Sequence, residues 1–110
     1  MKKQLLFLAM MLLSMIAHAD KSGTCGANLT WTLNDSTGTL TIEGSGAMND
    51  YDHYFNSTAP WYRDNANILT VAIGDGITYI GTYAFYNCSG LTSITIPNSV
   101  TVIGRQAFSG

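Results

Sequence analysis

"ITYIGTYAFYNC", residues 77 to 88, and "VTVIGRQAFSG", residues 100 to 110, are two copies of one skeleton. Laying residues 68–87 over 91–110 at a shift of 23 matches Ile73 with Ile96, Thr78 with Thr101 and Ile80 with Ile103. Gly81 then meets Gly104, Ala84 meets Ala107, and Phe85 meets Phe108. Ile68/Leu91, Val71/Ile94 and Ile77/Val100 are conservative apolar pairs. Apolar spacing kept at a fixed period is what stacked coils require, because each coil must cover its neighbour's apolar face.

The repeat has a direct physical reading. "LTSITIP" sends Leu91, Ile94 and Ile96 inward, the L-x-x-L-x-L spacing of a solenoid strand. Pro97 stops that strand because it has no N–H to donate to a ladder. "SVTVIG" returns Val100 and Ile103 to the interior, and Gly104 allows a tight turn. In "RQAF", Ala107 leaves room and Phe108 fills the space between layers.

Upstream, "LTWTL" alternates Leu29, Trp31 and Leu33 with Thr30 and Thr32, the period of a half-buried strand. "NDSTG" supplies turn chemistry and "TLTIE" resumes the alternation, so residues 29–43 read as a hairpin. Two strands alone are marginal in water, so the hairpin must pack on something. Residues 44–67 read as an irregular stretch pinned by "APW", where Pro60 stiffens the chain and Trp61 covers a core edge.

The first 19 residues carry a different message. "MKK", the apolar run "LLFLAMMLLSMIA" and "AHA" form a secretory signal peptide with cleavage expected after Ala19. The run from Leu5 to Ala17 has 13 residues, short of the ~20 a spanning helix needs. No membrane insertion is therefore expected after cleavage. Residues 20–110 hold three cations against seven carboxylates, a net of −4. Without a basic cluster, nucleic acid and anionic membrane are poor partners. The expected organisation is a signal peptide over 1–19, a β-hairpin and aromatic loop cap over 20–67, and repeats over 68–110. The fold class is mainly β. A chain of this size buries roughly 60–65% of its unfolded surface, so its core is thin.

"LTSITIPNSVTVIGRQAF" and "ITYIGTYAFYNC" resemble the BspA-like, treponemal-type leucine-rich repeat. "CGANLTWTLNDSTGTLTIEGSGAMNDY" followed by "APW" resembles the segment that often precedes such repeats in exported bacterial proteins. The resemblance covers roughly residues 23 to 110. It places Cys88 at the small residue before each new strand and implies a secreted or surface-exposed protein that adheres to matrix proteins or cells. It offers no catalytic residues. Members carry many repeats, and this chain shows one full unit and part of a second. Either the amino-terminal half caps the stack in place of missing coils, or the chain is a piece of something longer, which is the expectation favoured.

Other features weigh less. Cys25 and Cys88 are compatible with an exported disulfide worth ~4 kcal/mol, or with Cys88 as a small buried side chain. "NDYDH" brings Asp50, Asp52 and His53 together, but it lacks the spacing of a calcium loop, and two coils give no deep pocket. No enzyme activity, metal or cofactor is expected. Asn-x-Ser/Thr triplets at Asn28, Asn34, Asn56 and Asn87 arise easily in so polar a chain. For binding, the outward strand residues Leu69, Thr70 and Ala72 in one coil and Thr92, Ser93 and Thr95 in the next are the first candidates. Tyr51, Tyr54, Phe55 and Tyr62 are the second. The functional expectation is an exported protein-binding or adhesion module. The alternatives are a non-binding cap and spacer, or an accessory domain of a larger exported enzyme.

Overall fold

The computed structural model describes residues 21–54 and 57–109. The signal peptide expected over 1–19, Phe55 and Asn56 lie outside the described residues. The strands are β1 (Lys21–Gly26), β2 (Leu29–Asn34), β3 (Thr39–Gly44), β4 (Gly46–Ala47), β5 (Thr70–Ile73), β6 (Ile77–Ile80), β7 (Ser93–Thr95) and β8 (Val102–Ile103). A 3-10 segment, Tyr62–Asn67, precedes β5. Two sheets result, in the orders β1-β2-β3-β5-β7 and β4-β6-β8.

The hairpin forms where the alternation places it. Leu29, Trp31 and Leu33 are buried in β2 while Thr30 and Thr32 are exposed. Asn34 closes the turn: its Oδ1 accepts from the Ser36 and Thr37 amides at 3.0 and 3.2 Å. Gly38 sits at φ 69, in the left-handed region that glycine enters without strain. β1 adds a strand outside the hairpin, antiparallel to β2, with a bulge between Thr24 and Gly26. Lys21, with Nζ 2.8 Å from Asp64 Oδ1, ties that strand to the 3-10 segment.

β3 does double duty. It pairs antiparallel with β2 and parallel with β5, setting Leu40 beside Val71 and Ile42 beside Ile73. β5 pairs with β7 in the same way, setting Val71 beside Ile94. In the second sheet Ala47 lies beside Tyr79 and Tyr79 beside Val102. The region read as irregular, residues 44–67, thus contains one short strand and a helical turn. It returns the chain from β4 to β5 as the far side of a first coil.

The interior lies between the sheets. Leu29, Leu33, Leu40, Ile42, Trp61, Ile68, Val71, Ile77, Ile80 and Phe85 are fully buried. Phe85 and Phe108 stack with centroids 5.3 Å apart and planes 20° off parallel, and Trp61 stacks on Phe85 at 5.7 Å and 21°. Trp61 therefore occupies in the first coil the place that phenylalanine takes in the next two. Its ring also meets Trp31 and Tyr51 edge-on, at 5.7 and 6.0 Å. Ile96, Ile103 and Phe108, the inward residues of the last coil, are 39%, 48% and 41% exposed. They lie on the uncovered side of that coil.

Gly81 and Gly104 have a different role from the tight turn expected of Gly104. Neither falls among the positive-φ glycines. A Cβ on Gly81 would overlap the Asn49 carbonyl oxygen, and one on Gly104 would press on the Thr82 amide nitrogen and Tyr79 Oη. Both are glycine because adjacent coils approach there backbone to backbone. Cys25 and Cys88 are free thiols, so the disulfide is not formed. Burial pushes both thiols up to about 11, which leaves little reactive thiolate at neutral pH.

Candidate functional site

The outward side of the five-stranded sheet follows from register. Ser22, Thr32, Thr41, Ala72 and Thr95 lie in one row across all five strands. Asn34, Thr39, Thr70 and Ser93 form a second row across four of them. Thr24, Thr30 and Glu43 continue the surface at one end. The face is built of short hydroxyl-bearing side chains with Glu43 as its one formal charge. β-Branched threonine suits a pleated strand, and its hydroxyl keeps the side toward water polar.

The residues expected from the sequence are placed as follows. Thr70 and Ala72 are half-buried, and Thr92, Ser93 and Thr95 are exposed. Thr70 and Ser93 stand side by side, as do Ala72 and Thr95. Thr92 precedes β7, and its Oγ1 donates to the Leu69 carbonyl at 3.0 Å, so its hydroxyl proton serves coil-to-coil pairing. Leu69 is 43% exposed. The sequence reading missed Thr32, Thr39 and Thr41, which extend the face into the hairpin. The signal was present in "TWT" and "TLT", but only the pairing of β3 with β5 puts the two regions on one surface.

"NDYDH" is divided between structural tasks. Asp50 Oδ1 accepts the Tyr79 hydroxyl at 2.6 Å and the Thr82 amide at 2.9 Å, clasping the first coil to the second. The Thr82 amide, then the Tyr79 hydroxyl, hold this carboxyl below its ordinary value. A depressed carboxylate contributes stability that is complete above its unfolded value near 4 and is lost as pH falls through the lower folded value. Thermal melts from about pH 5 down to about pH 2.5 are expected to show a steeper loss in the parent than in Asp50→Asn. Equal slopes would mean the clasp contributes nothing. Asp52 Oδ1 lies 2.9 Å from His53 Nδ1 and accepts the His53 amide at 2.8 Å. Among the described residues no three His, Cys, Asp or Glu side chains are grouped to hold a metal ion.

Of the aromatic candidates, Tyr51 packs on the core, Tyr54 is 65% exposed, and Tyr62 lines a surface cleft. Phe55 is outside the described residues.

Parallel strands on two sides of a 23-residue coil, with a stacked ring in every layer, define a leucine-rich repeat architecture. The BspA type leucine-rich repeat region family matches residues 60–110. The fold is similar to the crystal structure of a leucine-rich repeat protein from Eubacterium ventriosum ATCC 27560, with TM-score 0.73 and 39% identity. Residues 60–110 are a BspA-like leucine-rich repeat region. That similarity covers 82% of this chain and 23% of the other, so the chain spans about a quarter of that protein's length. No curated protein matches it. A BspA-like repeat is a module of the protein-interaction type, mainly β, and the two stacked sheets place its surface residues accordingly. Among the described residues no helix is long and apolar enough to cross a membrane.

Proposed function

We propose that this chain is an exported binding module, secreted or held at the cell surface, that adheres to an extracellular protein through the outward sheet face. The observation that carries the reading is the unbroken row Ser22, Thr32, Thr41, Ala72 and Thr95, a low-charge strip spanning five strands. Solenoids present extended surfaces of this kind to partners. Short hydroxyls lose little side-chain entropy on contact and can donate or accept, which suits a broad polar interface. The amino-terminal "MKK…AHA" pattern supports export, and the BspA-type family supports an extracellular address.

Binding to a panel of immobilised extracellular matrix proteins tests this reading. Thr41→Lys and Ala72→Arg each place a long charge in the middle of the row. Each is expected to weaken binding at least tenfold, about 1.4 kcal/mol, while shifting stability by about 0.5 kcal/mol or less. Undiminished binding by both variants would move the interface elsewhere. No binding to any panel member by the parent chain would favour the spacer reading.

A further inference from the structure

The second surface of interest lies where the first and second coils meet and shares no residue with the sheet face. His53, Thr58, Tyr62 and Arg63 line a cleft of about 360 Å³, within the size range of small-ligand sites. A run of aromatic rings continues from it. Tyr62 stacks on Tyr86 with centroids 6.3 Å apart and planes 10° off parallel. Tyr86 meets Tyr83 edge-on at 5.3 Å, and His53 lies 5.1 Å from Tyr83 and 4.2 Å from Tyr54. None of Tyr54, Tyr62, Tyr83 and Tyr86 belongs to the buried cluster or to the residues packed against it. The core is closed by Trp61 and Phe85 without them, so these rings are not needed as its cover. The left-handed backbone at Tyr83, φ 56, recurs at Gln106, φ 54, one repeat later; it belongs to the coil and says nothing about the cleft.

Charge sharpens the reading. Arg63 is exposed and makes no ion pair among the described residues; the described lining holds no carboxylate, and the nearby Asp52 carboxylate lies 2.9 Å from His53 Nδ1. In a chain this acidic, a free guanidinium is the point that draws an anion, and its planar fork fits a carboxylate through two parallel bonds. A pyranose ring has an apolar C–H face that lies flat on an aromatic side chain, with hydroxyls around its rim. Thr58 and His53, which also line the cleft, supply polar atoms of the kind such hydroxyls pair with. A peptide would need an open strand edge or a long apolar groove for its backbone. The lining residues come from a loop and a 3-10 segment and provide neither.

We propose that this cleft binds a carboxylated pyranose, the acidic terminal sugar of a glycan, with Tyr62 stacking on the ring and Arg63 pairing with the carboxylate. Uronic and sialic acids share that chemistry. The test is calorimetric titration of the whole chain with oligosaccharides ending in glucuronic acid, in sialic acid and in neutral glucose. At least one acidic sugar is expected to bind ten times or more tightly than the neutral one, and the tighter of the two names the class. Arg63→Gln, a change at an exposed position, is expected to abolish that preference. Tyr62→Ala is expected to lose binding to all three. Thr41→Lys, on the sheet face, is expected to leave sugar binding unchanged, so this site and the adhesive face can fail separately. The proposal is overturned if neither acidic sugar binds, if Arg63→Gln keeps the preference, or if an acidic peptide competes as well as the sugar.

Discussion

Trp61→Ala is expected to remove about 3–5 kcal/mol of folding stability, close to the whole stability of some domains of this length, about 5–13 kcal/mol. Trp61 is fully buried, and its ring contacts Trp31, Tyr51 and Phe85. Its Nε1 also donates to the Ala84 carbonyl at 2.7 Å, a buried bond between the first and second coils. Alanine would leave a cavity that rigid strands on both sides cannot fill and a buried carbonyl without its donor. Trp61→Phe separates the two effects. It keeps a stacking ring, as Phe85 and Phe108 provide in later coils, and is expected to lose about 1–2 kcal/mol for the missing bond and smaller volume. Denaturant titrations followed by circular dichroism check both values. A loss under about 1 kcal/mol for Trp61→Ala would show that the first coil does not need this layer.

Gly81→Ala is expected to cost about 3 kcal/mol, at the upper end of what one added methyl group does in a tight site. The methyl group would collide with the Asn49 carbonyl oxygen, which is backbone and cannot swing aside. Relief requires prising the first coil from the second, stretching the bonds from Met48 N to the Tyr79 carbonyl, 3.1 Å, and from Tyr51 N to the Thr82 carbonyl, 2.8 Å. Gly46→Ala is the control. Its Cβ would meet nothing within 4 Å, although its φ of 100 disfavours alanine, so its loss measures backbone strain without collision. Thermal melts should therefore place Gly81→Ala clearly below Gly46→Ala. The reverse order would mean that the coils are not in close backbone contact.

Much of this architecture could be read from residues 68–110, where two copies at a constant shift expose the positions that must face inward. Ile73 and Ile96, Ile80 and Ile103, and Phe85 and Phe108 occupy matching positions there; the first of each pair is buried, and the second lies on the uncovered side of the last coil. The first coil was hidden for a geometric reason. Thr39 pairs with Thr70 across a gap of 31 residues, whereas Thr70 pairs with Ser93 across 23. The longer return loop, with Trp61 in place of phenylalanine, breaks the period, so Leu40 and Ile42 read only as half of a hairpin. β1 was hidden for another reason. "KSGTCG" has almost no apolar alternation, and it becomes a strand through backbone pairing with β2. Of the aromatic loop residues that stand out in the sequence, Tyr62 lines the cleft and Tyr54 lies beside His53. Arg63 follows Tyr62 in the chain, whereas Tyr83 and Tyr86 join them only because a coil brings residues more than twenty apart to one corner.

The sheet changes character along its length: antiparallel from β1 to β3, parallel from β3 onward. Only the parallel flank repeats the geometry by which one layer receives the next, so elongation is directional. A duplicated or deleted unit on that flank would lengthen or shorten the rod while leaving its founding strands undisturbed. Evolution could thus adjust reach by whole units, as a mason adds courses above a foundation laid once.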